Sequence, residues 1–188
     1  NYIYSNQIHL AGDYLSDFAR LIRLILDNSR HEYISIDKEM ECIELYLKLQ
    51  KLRFDSKFDY EIIIDPELKH EDYQIPPMLA QPFLENAIEH GLKNINHPGE
   101  LKVSYKLNKD ILEFMVVDNG IGLAASGKVN ENKEEKHESL AISICRKRLE
   151  VLRNRGMSKI SFVIEELNNE DGSVAGTKVA FNIPYSHK

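Results

Sequence analysis

Four polar residues recur at helical spacing between positions 86 and 93. An α-helix would bring residues spaced three, four and seven apart onto one face. That face would carry an amide, a carboxylate, an imidazole and an ammonium group: Asn86, Glu89, His90 and Lys93. Such a stripe can hold a metal ion and phosphate groups. The alternative interpretation is a solvated helix face that ends in a C-cap at Gly91.

A strand-like apolar run ends in a carboxylate at Asp118. Gly120 and Gly122 follow two and four residues later. A carboxylate at a strand end is suited to accept a hydrogen bond from an exocyclic amine, and glycines let the backbone approach a ligand closely. An ordinary Asn-Gly turn at Asn119 is the alternative.

Two further segments place polar residues and glycines beside predicted secondary structure. Residues 171–177 precede the last predicted strand and on their own indicate a plain hairpin loop. Residues 126–138 are rich in Lys, Glu and Asn, and we expect them to form a mobile loop. At residues 137–141 this loop leads into a predicted helix. The N-terminal amides of that helix could bind phosphate, and an ordinary N-cap at Ser139 is the alternative.

The elements that must position these groups follow two periodicities. Apolar residues at intervals of three and four predict helices over 10–28 and 37–54, which could pair as a helical hairpin. Further runs predict five strands and two more helices: strands 58–64, 101–107, 111–117, 160–165 and 178–183, and helices 77–90 and 140–154. We therefore expect an α+β fold, a two-layer α/β sandwich with a mixed, mostly antiparallel sheet, helices on one face and a preceding helical pair.

Composition excludes several classes of protein. The chain has 188 residues, 43% of them hydrophobic, which suits one globular domain with a helical appendage and argues against disorder. A formal charge of −6 gives no general attraction to nucleic acid, and no apolar run is long enough to span a bilayer. Cys42 and Cys145 form no CxxC motif, which favours reduced thiols in a cytosolic compartment.

The order of the motifs is more specific than any single motif. Over residues 76–184 the chain has a polar helix, a strand ending in DNGIGL, a loop leading into a helix, and Gly-Thr before the last strand. This order resembles the Bergerat-type ATP-binding fold shared by gyrase, MutL and the histidine kinases. Within that superfamily the chain is similar to sensor histidine kinases of the LytS type. Their N box resembles PPMLAQPFLENAIEHGL, and the helices before it resemble YLSDFARLIRLIL and ISIDKEMECIELYLKLQKLRF.

The resemblance implies a role for each matching residue. Asn86 would be the Mg²⁺ ligand, and a single amide oxygen is adequate because Mg²⁺ also binds waters and nucleotide oxygens. His90 and Lys93 would lie near the phosphates or the ribose of ATP, and Asp118 would accept the amino group of adenine. The other implied nucleotide-binding residues are Gly120, Gly122, Ser139, Leu140 and Thr177, and residues 123–138 would form the ATP lid.

Three departures from the family pattern bear on function. Ala141 opens the helix after the lid, where relatives usually have glycine. Pro82 stands where relatives that hydrolyse ATP place a glutamate, which favours phosphoryl transfer to a protein over free hydrolysis. The Pro-His-Phe segment that carries the phosphoacceptor histidine in this kinase type is absent, and the chain starts at Asn1 instead of Met. We therefore expect a piece of a longer protein.

The resemblance thus implies the catalytic, ATP-binding part of a two-component sensor histidine kinase. Residues 57–188 would form the ATP-binding domain, and residues 1–56 would be the end of the phosphoacceptor and dimerisation region. The enzyme would transfer the γ-phosphoryl group of Mg-ATP to a histidine outside this chain. A response regulator is the implied protein partner, a homodimer is an option for the intact protein, and the location would be the cytoplasmic side of a membrane-anchored bacterial protein. Two alternatives with the same fold are a degenerate nucleotide-binding regulatory module and a serine kinase of the anti-sigma type.

Overall fold

A computed structural model of the chain describes most of its residues: 2–68, 73–108, 111–122, 143, 147, 150–151, 162–183 and 185–187. The predicted ATP lid lies outside the described residues, as do Ser139, Leu140, Ala141 and Cys145. Of the predicted helix over 140–154, the described residues 143, 147, 150 and 151 are helical.

Two helices at the start of the chain pack against each other. Helix α1 spans Tyr2–Asn28 and helix α2 spans Ile36–Arg53. Leu21 of α1 packs into a buried cluster with Cys42, Leu45 and Leu49 of α2. Ion pairs flank this seam, between Arg20 and Glu41 and between Lys48 and Asp17. The predicted helical hairpin is therefore present.

Helix α2 also faces the main core. Ile36, Met40, Ile43 and Leu47 belong to the large hydrophobic cluster that the sheet and the following helix share. With one face on α1 and another on the core, α2 buries most of its apolar residues, and Leu52 near its end stays exposed. Helix α2 therefore joins the helical pair to the rest of the fold by direct packing. The division at residue 56 stays a prediction.

A five-stranded sheet forms the body of the fold. Its strands, in chain order, are β2 Phe58–Ile64, β4 Gly99–Asn108, β5 Ile111–Asp118, β6 Phe162–Asn168 and β7 Val174–Ile183. They lie in the order β2-β4-β5-β7-β6, with β2 parallel to β4 and the other pairs antiparallel. All five predicted strands are present, and the mixed, mostly antiparallel sheet is confirmed.

A second, small sheet was not predicted. Strands β1 (Ile34–Ser35), β3 (Tyr73–Ile75) and β8 (Ser186–His187) pair antiparallel in the order β1-β3-β8. It links the connection between the two helices to a segment near the end of the chain.

Helices cover one face of the large sheet. Alternate residues of the central strands are buried on that face, including Val103 and Tyr105 of β4 and Phe114 and Val116 of β5. Phe83, from the helix that begins at Gln81, packs on this face, with its ring centroid 5.1 Å from that of Phe181 on β7. The period-two burial pattern explains why these strands could be read from the sequence. No helix among the described residues is long and apolar enough to cross a membrane.

The helix that carries the predicted polar face is shorter and less regular than expected. Helix α3 spans Gln81–Asn86 and continues without a break as a π-helical turn, Ala87–Leu92. The predicted start at Pro77 is wrong, because Met78 has a φ of +60° and donates its backbone N–H to the buried Glu39 carboxylate at 3.1 Å. The alternative of a C-cap at Gly91 is also wrong, since Gly91 lies inside the π turn.

Candidate nucleotide-binding site

Asp118 is the buried carboxylate at the end of β5. Asp118 is only 5% exposed, and it pairs across the sheet with Leu101 on β4 and Thr177 on β7. The backbone N–H of Gly120 donates to its Oδ1 at 2.9 Å, and the backbone of Thr177 also donates to the carboxylate. The sheet register therefore brings Asp118 and Thr177, which are far apart in sequence, to one place.

Burial determines the charge state of this carboxylate. It raises the pKa of Asp118 to about 6, although the hydrogen bonds from Gly120 and Thr177 act in the opposite direction. Above that pH the group is an ionised acceptor with low solvent access. Such a group is suited to a charge-assisted hydrogen bond from an amino group of a ligand.

Three glycines surround Asp118 with bare backbone. A Cβ on Gly91 would lie 2.8 Å from Asp118 Oδ1, and a Cβ on Gly120 would lie 2.5 Å from the Gly91 carbonyl carbon. A Cβ on Gly176, where φ is +140°, would lie 1.8 Å from the Asp118 carbonyl oxygen. The π turn, the end of β5 and the start of β7 can therefore meet only because these positions lack side chains.

Neighbouring residues hold the segment after β5 in place. Asn119 accepts a hydrogen bond from the Glu100 backbone at 2.7 Å and donates one to the Pro98 carbonyl at 3.1 Å. Gly122 has a φ of +78°, and a Cβ there would lie 2.5 Å from Cγ1 of Val174. The Asn119 side chain thus fixes the loop against the start of β4, and the missing side chain of Gly122 allows a close approach to Val174 on β7.

Helix α3 and its π turn carry the predicted polar residues and meet the end of β5 through Gly91. Asn86 and Glu89 are half-buried and His90 and Lys93 are exposed, whereas Ala87, Ile88, Gly91 and Leu92 are buried. Gly91 contacts Asp118 from this same turn. The structure joins three of the nine predicted site residues directly, Asp118, Gly120 and Thr177, at the end of β5. Asn86, His90 and Lys93 lie on the helical segment whose Gly91 meets Asp118, and Gly122 lies against Val174, so their place in a nucleotide site stays a prediction. The other two, Ser139 and Leu140, lie outside the described residues.

Glu89 organises the charges on this face. Its carboxylate pairs with Arg53 at 2.7 Å and with Lys93 at 3.2 Å. Partial burial tends to raise the pKa of Glu89, but the hydrogen bonds and charges of Lys93 and Arg53 outweigh it and hold the pKa below its ordinary value. Lys93 is therefore engaged with Glu89 in this structure.

The donor set fits a magnesium ion that is shared with a nucleotide. Asn86 Nδ2 is buried and has no hydrogen-bond partner in the part of the chain that the structure describes. The same amide carries an oxygen of the type that Mg²⁺ accepts as a ligand. Among the described residues, no three His, Cys, Asp or Glu side chains form a metal-binding group. A cation here would therefore need ligands from bound phosphates and water, which is the usual binding mode of Mg²⁺.

Sequence reasoning missed three residues of this region. The sequence pattern indicates a helix end at Gly91 and a loop at Gly176, and it assigns no role to Arg53. The Gly-Thr pair at 176–177 was a usable signal for Gly176. Nothing in the sequence alone connects Arg53 to Glu89, because the two lie on different elements.

Comparison with known proteins gives consistent results at two levels. The model of the family described as "Histidine kinase" matches residues 1–58. Sensor protein LytS of Staphylococcus epidermidis is 31% identical over 111 residues, which is 59% of this chain and 18% of that protein. The chain thus spans less than a fifth of the length of this relative.

Solved structures share the fold. The histidine kinase domain of the blue-light activated histidine kinase EL346 from Erythrobacter litoralis aligns with a TM-score of 0.57 and 16% identity, covering 97% of this chain and 81% of that one. Histidine kinase ThkA, in a complex with response regulator protein TrrA, aligns with a TM-score of 0.51 and 16% identity, covering 95% of this chain and 50% of that one.

The fold is that of the histidine kinase catalytic domains, so the predicted fold class is confirmed. By sequence the chain is a relative of the LytS sensor proteins, and the predicted resemblance to LytS-type sensor histidine kinases is confirmed as well.

Proposed function

We propose that this chain is the ATP-binding catalytic part of a two-component sensor histidine kinase. In this proposal it binds Mg-ATP and provides the γ-phosphoryl group for a histidine outside the 188 residues. The observation that carries the proposal is the buried Asp118 carboxylate, framed by Gly91, Gly120 and Gly176, beside the polar face that begins at Asn86.

Each described residue has a role that follows from its chemistry. Asp118 would accept the adenine amino group, with Thr177 beside it as a second adenine contact. Gly120 and Gly122 would leave room for the nucleotide, and His90 and Lys93 would face the ribose or phosphates. Asn86 would supply its amide oxygen to Mg²⁺, which neutralises charge on the phosphates when bound. Ser139 and Leu140 stay as predicted phosphate contacts.

The absence of a glutamate at position 82 supports transfer over hydrolysis. Pro82 has no group that can activate water, so a bound nucleotide would be hydrolysed slowly. A protein histidine would then be the productive acceptor. A response regulator is the expected next acceptor, because the ThkA structure with the same fold is a complex with such a protein.

The setting of the domain is part of the same proposal. LytS of S. epidermidis is described as a sensor protein and is much longer than this chain. We place the 188 residues on the cytoplasmic side of a membrane-anchored bacterial protein, and a homodimer stays an option for the intact protein.

Comparing ATP with ITP tests the nucleotide assignment. ITP carries the same phosphates but has a carbonyl oxygen in place of the exocyclic amino group and a proton on N1, so the contacts to the base differ while the phosphate contacts do not. Calorimetric titration with Mg²⁺ present should give clearly tighter binding of ATP. Equal affinities would contradict the assignment of Asp118.

A protein that also contains the upstream histidine tests the transfer step. Incubation with γ-labelled ATP should yield an acid-labile, alkali-stable phosphoryl group on that histidine. Nucleotide binding without any such label would instead favour a regulatory module that has lost catalysis.

A further inference from the structure

The Glu89 carboxylate holds two cations from different parts of the chain. Arg53 Nη1 lies 2.7 Å from Oε1, and Lys93 Nζ lies 3.2 Å from Oε2. Lys93 follows Glu89 by one helical turn, whereas Arg53 is the last residue of α2. One negative charge thus gathers two positive charges, so the group of Glu89, Arg53 and Lys93 carries a net charge of +1.

The Arg53 guanidinium is held in place but keeps free donors. Its described hydrogen bonds are both made by Nη1, to Glu89 and to Gln50 Oε1 at 3.2 Å. Its Cζ lies 5.2 Å from the centroid of the Phe54 ring, which restrains the plane of the guanidinium. Because the group has five N–H donors, Nη2 and Nε can still donate to another acceptor.

The Arg53 guanidinium lies next to the polar face of the candidate site, because it pairs with Glu89 there. Glu89 follows Asn86 by three residues, so Arg53 reaches the helix about one turn from the proposed magnesium ligand. The Arg53 side chain is 52% exposed, so an approaching ligand can reach it. A half-exposed ion pair of this kind adds little to stability, so a variant at Arg53 should keep the fold.

We propose that Arg53 binds the phosphate groups of the nucleotide and that Glu89 is the residue that positions it. This inference rests on the proposed function. Glu89 is itself a poor phosphate ligand because both groups are negative, but its two oxygens hold Arg53 and Lys93 side by side. An arginine can donate to two phosphate oxygens at once, which makes the planar guanidinium a specific phosphate donor. Nucleotide binding would then contact the helical pair directly.

The test compares Arg53→Gln with Lys51→Gln. Lys51 lies two residues earlier on α2 and pairs with Asp59 on β2. Replacing it with glutamine removes the same positive charge away from Glu89. Affinities for Mg-ATP and for adenosine are measured by calorimetry, and thermal unfolding reports on stability. Arg53→Gln should weaken Mg-ATP binding about tenfold or more and leave adenosine binding unchanged, because only ATP contains the phosphates. Lys51→Gln should change neither affinity.

A third variant separates charge from geometry. Arg53→Lys keeps the charge but lacks the planar fork, so its affinity for Mg-ATP should fall between those of the wild type and Arg53→Gln. Unchanged Mg-ATP affinity in Arg53→Gln would overturn the inference, as would an equal loss for adenosine with lower thermal stability. If the wild-type chain bound neither ligand, the proposed function itself would fail.

Discussion

Gly91 lies so close to Asp118 that a Cβ at position 91 would come within 2.8 Å of the Asp118 carboxylate oxygen. The contact joins the π turn after α3 to the end of β5. Through it, the helical segment that carries Asn86 is held against the end of β5. The relative position of the two halves of the candidate site therefore depends on a missing side chain.

Replacing Gly91 with alanine should disturb both stability and binding. The new methyl group would push against Asp118 Oδ1, and overpacking of this kind typically costs about 1–3 kcal/mol. We expect a lower free energy of unfolding in urea and weaker adenosine binding. Gly12→Ala is the matched control, because a Cβ there meets nothing within 4 Å. That exposed helical change should be neutral or stabilise by about 0.5–1 kcal/mol. Equal behaviour of the two variants would contradict the close contact.

Asp118→Asn should weaken adenosine binding and leave the fold intact. The amide has the same shape, but the charge-assisted hydrogen bond is lost, which typically costs about 1.5–3 kcal/mol of binding free energy. Calorimetry measures the affinity and circular dichroism checks the fold. Asp171→Asn is the control, since the exposed Asp171 carboxylate bonds to Ser173 within its own turn. Unchanged affinity in a folded Asp118→Asn variant would rule out its role with adenine.

Adenosine binding should depend on pH through Asp118. Its folded pKa of about 6 lies above the ordinary value of 3.8, so the acceptor becomes protonated as the pH falls through 6. Binding should weaken over that range. The same shift affects stability, because the folded protein holds the Asp118 proton more tightly than the unfolded chain does. Asp118 therefore contributes to the free energy of unfolding below pH 3.8, and this contribution is lost as the pH rises through about 6. Calorimetry from pH 5 to pH 8 measures the affinity. The Asp118→Asn variant should lack this dependence, and the same profile in both proteins would assign it to another group.

Asn86→Ala should act on the metal and phosphates instead of on the base. We expect a strong loss of Mg-ATP affinity and almost none for adenosine, because only the former needs the amide oxygen. Asn94→Ala, an exposed change just beyond the same helical segment, serves as the control. An equal loss for both ligands would instead indicate that the helix had been damaged.

The 188-residue chain should bind ATP without labelling itself. It has seven histidines, and none is preceded by Pro or followed by Phe, the context that this kinase type phosphorylates. His90 is also part of the proposed binding face. Incubation with γ-labelled ATP should leave the protein unlabelled at neutral and alkaline pH, and phosphate release should be slow. Stoichiometric acid-labile label would contradict this expectation and direct attention to His9, which lies just before the helix predicted over residues 10–28.

The sequence by itself determined the elements whose patterns are long. The period-two alternation of β5 and the three- and four-residue spacing of α2 were readable because each repeats over several residues. The polar residues from Asn86 to Lys93 were visible for the same reason. Strands β1, β3 and β8 were missed because two or three residues carry no periodicity.

Only the tertiary structure decided how these elements meet. The contact of Gly91 with Asp118, the close approach of Gly176 to Asp118 and the pairing of Arg53 with Glu89 all join residues that are distant in sequence. Local composition cannot indicate such contacts, because they depend on sheet register and on helix packing. The residue types were therefore fixed by the sequence, whereas burial, the raised pKa of Asp118 and the grouping of charges arose from packing.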